Sequence, residues 1–230
     1  MTPRFLIFPV SKRNRRAVGC LLKKALCARF AVDNARILCY NAAMELVDIS
    51  ADAQKTKTLS KWLKRDFPLS ERTPFRILKK LARQGKARFY FACEGGEVKA
   101  YCVLHFFGGY TQLLYLAVTP EARGAGVGSA VVPLIKAAAG GTLVLEVEDP
   151  AEAQDEAALK VRTRRIAFYK RLGFEMLDNV RLLIPGGALR PMSDGRVDGD
   201  LPKMWLDMYR ELAGVFGVFF KTDAKPIKSN

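Results

Sequence analysis

Three strand-like segments follow one another near the middle of the chain with only short turns between them. The segments cover residues 88–93, 98–107 and 111–118, and the turns at 94–97 and 108–109 supply glycine where a hairpin requires positive φ. Connections this short join antiparallel strands, because a parallel pair needs a crossover of about a dozen residues or more. The sequence therefore predicts an antiparallel meander at the centre of the fold.

Strand and helix patterns alternate on both sides of this meander. Further strand patterns cover residues 44–49, 143–148, 174–184 and 203–209. Helical patterns cover residues 52–65, 127–139 and 162–172, and another begins near Pro74 and ends at Gly85. The stretch 185–202 is rich in Gly and Pro and is predicted to be a long loop, a feature that often carries function. The predicted fold class is α/β, with a mixed, mainly antiparallel central sheet flanked by helices.

Basic charge is concentrated in the first 43 residues. They carry nine Lys and Arg residues against one Asp, and the formal net charge of the whole chain is +15. We expect residues 1–43 to be a basic extension outside the working fold, since Met44 begins a clean strand pattern and is a candidate initiator. A membrane-surface helix, a nucleic-acid arm and an organelle transit peptide are the other interpretations of this acid-poor segment. The predicted organisation is an extension at 1–43, a folded domain at 44–213 and a C-terminal tail at 214–230.

Cysteine and histidine usage argues against disulfide and metal chemistry. The chain has five Cys and one His, with no Cys-x-x-Cys pair and no cluster of the two types. We interpret the cysteines as reduced thiols of a cytoplasmic protein and expect no metal site. The apolar runs are shorter than the roughly 18 residues of a membrane span, so we predict no membrane insertion. The single histidine, His105, lies in an apolar strand pattern and is interpreted as structural.

A glycine-rich turn, Arg-Gly-Ala-Gly-Val-Gly-Ser at 123–129, follows a strand pattern and opens a helix. Glycines permit positive φ and let main-chain N–H groups at the positive helix end approach an anion, so the turn predicts a pyrophosphate cradle. A P-loop requires a Lys that is absent here. Glu146 and Glu148 lie about twenty residues further on, where a dinucleotide fold places a ribose-binding acid, but Val131 breaks that fingerprint. Because the acids have the right spacing but the glycine fingerprint is broken, a dinucleotide-binding oxidoreductase is kept as an alternative function.

Two motifs together resemble the GNAT superfamily of N-acetyltransferases. The turn resembles the family's coenzyme A signature, Gln/Arg-x-x-Gly-x-Gly/Ala, and the strand Tyr-Leu-Ala-Val-Thr-Pro at 115–120 precedes it. The segment Ala-Phe-Tyr-Lys-Arg-Leu-Gly-Phe at 167–174 resembles the second hallmark, a helix that ends in Phe-Tyr-x-x-x-Gly-Phe. The resemblance extends from Met44 to about Leu212 and implies the GNAT fold with acetyl-CoA as co-substrate. It further implies acetyl transfer to the primary amine of a small molecule or peptide by direct attack, without an enzyme nucleophile or a metal.

The resemblance also assigns roles to single residues. The cradle would hold the diphosphate of the coenzyme through Arg123, Gly124, Ala125, Gly126, Val127, Gly128 and Ser129. The pantetheine arm would lie along the preceding strand, against the main chain of Leu116, Ala117 and Val118. Tyr169 would protonate the departing thiolate as general acid, since the ordinary pKa of tyrosine is close to that of a thiol.

The general base is predicted on the strand at 143–148. Glu146 and Glu148 share one face of that strand, where two nearby carboxylates would raise one pKa or attract a cationic substrate. Tyr115 is another candidate for this role. Many relatives carry Asn seven residues before the tyrosine of the second motif, and this chain departs from them with Arg162.

The resemblance also indicates where the acceptor would bind. The family builds its acceptor pocket from the first helices and the loop between the last two strands, which correspond here to 52–84 and 185–202. The alternative function is a non-catalytic module that binds coenzyme A or uses a basic face to bind nucleic acid, although we do not expect a nucleic-acid partner. The apolar stretch 212–220 packs either on the sheet or on a second subunit, which leaves a homodimer open.

Overall fold

A computed structural model describes residues 44–178, 180–184 and 187–213, and the backbone of 223–225. The extension at 1–43 and most of the tail at 214–230 lie outside the described residues, so what the sequence predicts for them stays a prediction. None of the helices in the described part of the chain is long and apolar enough to cross a membrane.

The described strands form a single sheet of nine. They are β1 Met44–Asp48, β2 Ala87–Glu94, β3 Glu97–Phe107, β4 Tyr110–Val118, β5 Leu143–Glu148, β6 Glu175–Met176, β7 Arg181–Ile184, β8 Gly187–Ser193 and β9 Asp223–Lys225. Their order is β1-β2-β3-β4-β5-β8-β7-β9, with β6 also pairing with β8. The β4–β5 pair is parallel and the other pairs between these strands are antiparallel. The predicted meander and the predicted fold class are confirmed.

Five α-helices accompany the sheet in the described residues. They are α1 Ala53–Asp66, α2 Phe75–Arg83, α3 Val127–Ala139, α4 Glu156–Arg171 and α5 Leu201–Ala213. Asp52 caps α1 by accepting hydrogen bonds from the main-chain N–H groups of Gln54 and Lys55. Asp155 caps α4 in the same way through Ala158, which explains why this helix begins before residue 162, where the sequence pattern placed its start.

The C-terminal part of the domain differs from the prediction. Residues 203–209, predicted as a strand, belong to helix α5, and the predicted loop 185–202 contains strand β8. The prediction failed because a short apolar run fits either period. The burial of Leu201, Trp205, Met208 and Leu212 follows the helical one. The predicted strand 174–184 is two short strands, β6 and β7.

Two apolar clusters place α5 beside the first two helices. The larger cluster packs Leu59 of α1 and Leu78 of α2 against Phe89 of β2 and residues of β3. The second packs Trp205 and other residues of α5 against β5 and β7. Leu212, near the end of α5, belongs to the larger cluster, so α5 spans from one cluster to the other. Helices α1, α2 and α5 therefore cover the same face of the sheet.

Candidate active site

The glycine-rich turn leaves its main chain open to solvent. Gly124 and Gly126 have φ values of 80° and 79°, and Gly126 is the N-cap of α3 without a side-chain cap. A Cβ atom built on either glycine would meet nothing within 4 Å. The two glycines are therefore required by backbone conformation and not by crowding. Because the first N–H groups of a helix have no intrahelical acceptor, the turn leaves main-chain donors exposed where the sequence predicts the cradle.

Gly128 has a different role in the same motif. A Cβ atom at this position would lie 3.3 Å from Cζ of Phe168 and 4.0 Å from a methyl group of Val118. Phe168 belongs to the second motif, so the two motifs pack directly on each other at this point. The absence of a side chain at residue 128 is what allows α4 to approach α3 this closely.

The remaining residues of the turn can offer an anion either main-chain groups or the charge of Arg123. The Val127 side chain is buried, so this residue can offer a ligand only its main chain. Ala125 lies two residues before it and Ser129 two residues after it. Arg123 reaches back to the end of β4, with Nε 3.4 Å from the carbonyl oxygen of Val118. Its guanidinium lies 3.8 Å from the Asp66 carboxylate, and the Arg123 side chain is 61% exposed, so this charge is close to solvent beside the cradle.

A gap opens between β4 and β5 beside this turn. The two strands pair only at Thr111–Leu143 and Gln112–Val144, after which β5 pairs with β8 alone. The pairing of β4 with β3 contains an irregularity here that leaves Leu114 without a partner. A bulge of this kind bends a strand and increases its twist, which fits the separation of β4 from β5 beyond residue 112.

The open edge of β4 presents particular main-chain groups. Thr119 donates its N–H to the Lys99 carbonyl of β3, 2.9 Å away. Main-chain groups alternate between the two edges of a strand, so those of Leu116 and Val118 point into the gap and those of Ala117 point toward β3. The structure thus gives the gap a row of main-chain donors and acceptors that β5 does not pair with, and this row ends at the glycine-rich turn, where Arg123 donates to the Val118 carbonyl.

Tyr169 is a protonated, partly buried phenol next to the contact between the motifs. Its ring centroid lies 5.0 Å from that of Phe168 and 5.5 Å from that of Phe174. Burial raises the pKa of Tyr169 to about 12, although the charge of Arg165 lowers it in part. The hydroxyl has no hydrogen-bond partner among the described residues. It can therefore donate its proton to a ligand atom.

Glu146 lies on β5 just beyond the last rung that joins β5 to β4. Its Oε1 accepts hydrogen bonds from Gln112 Nε2 at 3.0 Å and Trp205 Nε1 at 2.5 Å, and its Oε2 accepts one from the Tyr209 hydroxyl at 2.8 Å. Burial raises the pKa of Glu146 above the usual range, even though all three hydrogen bonds favour the anion. A carboxylate with a raised pKa is a better proton acceptor than an ordinary glutamate.

Glu148 does not pair with Glu146. Its carboxylate forms a salt bridge with Arg165 of α4, whereas Glu146 is held by α5 and β4. The cause that raises the pKa of Glu146 is burial and not a second carboxylate. The predicted pair of carboxylates is therefore two separate groups with different partners.

Three further residues named from the sequence have structural contacts. The Tyr115 hydroxyl accepts from the Thr73 N–H at 2.8 Å and donates to the Glu71 carbonyl at 3.0 Å, which ties the α1–α2 connection to β4. Arg162 donates to the Asp149 carbonyl at 2.7 Å. The buried His105 lies between the Gln112 and Glu211 side chains.

Sequence reasoning missed the side chains that surround Glu146. Trp205 and Tyr209 lie one helical turn apart on α5, in a segment that was predicted as a strand. Helical spacing was the signal that could have found them, whereas nothing local indicates that Gln112 reaches Glu146. Among the described residues, no group of three or more His, Cys, Asp and Glu side chains is placed to hold a metal ion.

Comparison with known proteins adds a family and a fold. Residues 85–176 match the model of a family described as an acetyltransferase (GNAT) domain. A solved protein assigned to the GNAT acetyltransferases from Bacteroides thetaiotaomicron is 22% identical, with a TM-score of 0.59 over 75% of this chain and 98% of that one. Comparison with curated proteins gives no match.

Two other solved structures are more distant. The Naa50 protein of Arabidopsis thaliana, in complex with the bisubstrate analogue CoA-Ac-MVNAL, is 15% identical, with a TM-score of 0.48 over 67% of this chain and 99% of that one. The PaiA N-acetyltransferase of Thermoplasma acidophilum, in complex with coenzyme A, is 15% identical, with a TM-score of 0.45 over 66% and 99%.

Proposed function

Because this chain carries a GNAT acetyltransferase domain, matched over residues 85–176, we propose that it transfers the acetyl group of acetyl-CoA to a primary amine by direct attack of the amine. The acyltransferase class predicted from the two motifs is confirmed by that match. The observation that carries the finer proposal is the continuity between the open edge of β4 and the exposed glycine turn, which together suit a long ligand with a diphosphate at one end.

The residues of this groove fit coenzyme A. Acetyl-CoA supplies an acetyl group activated as a thioester. The N–H groups of the turn at 124–129, with Arg123 beside them, would bind the diphosphate. The main chain of Leu116 and Val118 would pair with the amides of the pantetheine arm, and a main-chain N–H of this edge would stabilise negative charge that develops on the carbonyl oxygen. The N–H groups of the turn and the main-chain groups at the edge of β4 can both form such hydrogen bonds with a ligand.

Glu146 would be the general base. An amine attacks only with a free electron pair, so a proton must leave it before or during the attack. The carboxylate of Glu146 lies beside the gap, on the face of the sheet that α1, α2 and α5 cover. Its raised pKa makes it a better proton acceptor than an exposed glutamate. Glu148 forms a salt bridge with Arg165 and would contribute only to the electrostatic potential at the end of β5.

Tyr169 would be the general acid. Its hydroxyl would donate a proton to the coenzyme sulfur as the carbon–sulfur bond breaks, and solvent would restore that proton afterwards. The pKa of about 12 keeps the hydroxyl protonated at neutral pH, so it is ready to donate in every turnover. The ring contacts with Phe168 and Phe174 would hold the phenol in one orientation.

The acceptor would be an amine of a small molecule or peptide, bound between the α1–α2 region and the segment 187–202. We propose neither a membrane nor a nucleic acid as partner. The test is to incubate the purified chain with acetyl-CoA and a panel of amines, and to measure release of free thiol; the panel contains polyamines, amino acids and peptides with free N-termini. Thiol release with at least one class of amine is expected.

Binding measurements beside this assay separate the alternative functions. Binding of coenzyme A by calorimetry without thiol release from any amine would indicate a non-catalytic module. Binding of a nicotinamide nucleotide in place of coenzyme A would overturn the proposal. A nucleic-acid affinity that falls steeply with salt and survives removal of residues 1–43 would favour the nucleic-acid module.

A further inference from the structure

A line of hydrogen-bonded polar groups runs from Glu146 to the surface. Gln112 Nε2 lies 3.0 Å from Glu146 Oε1, and Gln112 Oε1 lies 3.3 Å from His105 Nδ1. His105 Nε2 lies 3.1 Å from Glu211 Oε2, and the other oxygen of Glu211 accepts from Lys86. The His105 and Gln112 side chains have almost no exposed surface. Four elements of the fold and the α2–β2 connection thus contribute to one connected line, and the mechanism proposed above does not use it beyond Glu146.

The donors and acceptors in this line determine where its protons lie. A carboxylate only accepts hydrogen bonds, so the Gln112 amide must present its NH₂ group to Glu146 and its oxygen to His105. That oxygen also only accepts, so Nδ1 of His105 must carry a proton. Nε2 faces the Glu211 carboxylate and must carry one as well. Both ring nitrogens of His105 thus face acceptor oxygens, the arrangement that suits a doubly protonated imidazole.

The surroundings of the ring are consistent with this charge. Burial raises the pKa of Glu211, but hydrogen bonds from Lys86 and His105 outweigh it, and the net pKa is lowered, so Glu211 is an anion. The charged groups that face His105 are Glu211 from α5 directly, Lys86 through Glu211, and Glu146 of β5 through Gln112. The Phe107 ring also lies near the imidazole, with centroids 6.0 Å apart. A charged imidazole would complete a line of charges of alternating sign from Lys86 to Glu146.

We propose that His105 is a positioning residue for acetyl transfer: as a buried cation it fixes the orientation of the Gln112 amide and so holds Glu146 as an ionised, correctly oriented base. Without this line, burial would leave Glu146 neutral over a wider pH range, and a neutral carboxylic acid cannot accept the proton of the amine. Lys86 and Glu211 would act further out by stabilising the charge on the ring. This inference rests on the proposed role of Glu146.

The first test is the pH dependence of kcat/KM. His105→Gln removes the charge and keeps a hydrogen-bonding side chain. We expect the acid limb to move to higher pH by about one unit, which means roughly tenfold lower kcat/KM on that limb and recovery toward the wild-type value at high pH. Glu211→Gln should move the limb in the same direction by less. The ratio of variant to wild type cancels the titration of the amine itself.

The matched control is Thr111→Val, on the neighbouring residue of β4. Thr111 is buried and donates to the Ala139 carbonyl at 3.1 Å, outside the line. This variant should lose some thermal stability and leave the acid limb where it is. An acid limb that does not move in His105→Gln and Glu211→Gln, with both proteins folded by circular dichroism, would overturn the positioning role.

The second test does not depend on activity. Because the chain contains a single histidine, ¹⁵N-labelled histidine gives ring signals from His105 alone. We expect the pattern of a doubly protonated ring at pH 7 in the wild type, and its loss at that pH in Glu211→Gln. A neutral ring in the wild type would overturn the inference. A doubly protonated ring in a protein that releases no thiol with any amine would overturn the proposed function and the positioning role, and would leave only the charge assignment.

Discussion

The two sides of the proposed active site are assembled in different ways. The coenzyme side is made by residues 116–129, which follow one another along β4, the turn and α3, with α4 packed against Gly128. The acceptor side is made around Glu146 by Gln112, Trp205 and Tyr209, which lie 34, 59 and 63 residues away in sequence. A local motif can thus specify a binding turn, whereas the environment of the base depends on long-range packing. We therefore expect changes on the first side to affect coenzyme binding and changes on the second to affect turnover.

The largest effect is expected on the coenzyme side, from Gly126→Glu. The residue has a φ of 79°, where a side chain is strained, and a carboxylate in the cradle would repel the diphosphate. We expect coenzyme A affinity to fall by at least about 100-fold, or about 2.7 kcal/mol, in calorimetry.

The control for this change is Gly95→Glu in the β2–β3 hairpin. Gly95 also has positive φ and open space around it, so the variant tests strain and charge without touching the cradle. It should bind coenzyme A like the wild type. Equal losses in the two variants would show that Gly126→Glu acts through the fold.

On the acceptor side, Glu146→Gln should lower kcat by about 100-fold or more, since an amide cannot accept the proton of the amine. Coenzyme affinity should stay within about twofold, which would sharpen the contrast between the two sides. In the wild type, activity should fall as pH drops through the raised pKa of Glu146, hence at higher pH than for an ordinary glutamate. Steady-state kinetics across pH provide the measurement.

The matched control here is Glu148→Gln. Glu148 belongs to the same strand but is paired with Arg165, so its loss should change kcat only a few-fold, on the order of a surface ion pair. If Glu148→Gln were the more damaging variant, the base would be Glu148, and the hydrogen bonds of α5 to Glu146 would be structural.

Tyr169→Phe tests a residue that lies on the coenzyme side but acts in the chemical step. We expect kcat to fall by about 10- to 100-fold with coenzyme affinity nearly unchanged, because the variant removes a proton donor and keeps the ring. Since the pKa of Tyr169 is about 12, loss of its proton should not lower wild-type activity below strongly alkaline pH. Phe168→Leu is the packing control. Unchanged turnover in Tyr169→Phe would remove the phenol from the mechanism.

The smallest effect is expected from Arg123→Gln. The guanidinium is largely exposed and its charge is screened by solvent, so coenzyme affinity should weaken by only about three- to tenfold. The loss should shrink as salt is raised, and calorimetry at two ionic strengths would measure it. A salt-independent loss would indicate that Arg123 acts through its contact with the Val118 carbonyl.

The difference between the two sides also explains what the sequence could predict. Gly124 and Gly126 are needed for a backbone conformation that their own neighbours determine, so a motif reveals them. The strand order of the meander follows from turns too short for any other connection. Trp205 and Tyr209 escaped because an apolar run of this length fits a strand or a helix until packing decides. The contact of Gln112 with His105 depends on the β3–β4 register, which the unpaired Leu114 shifts, and no local pattern specifies that shift.

The close contact between Gly128 and Phe168 has a practical consequence for protein engineering. A library that varies position 128 to change which acyl-CoA is accepted would also displace the neighbouring helix and the tyrosine beside Phe168. Selection for new acyl donors would then return many variants that bind the acyl-CoA but transfer its acyl group slowly. Position 168 should be randomised together with position 128. Smaller side chains at 168 would leave room for a side chain at 128, so that α3 and α4 could still pack together.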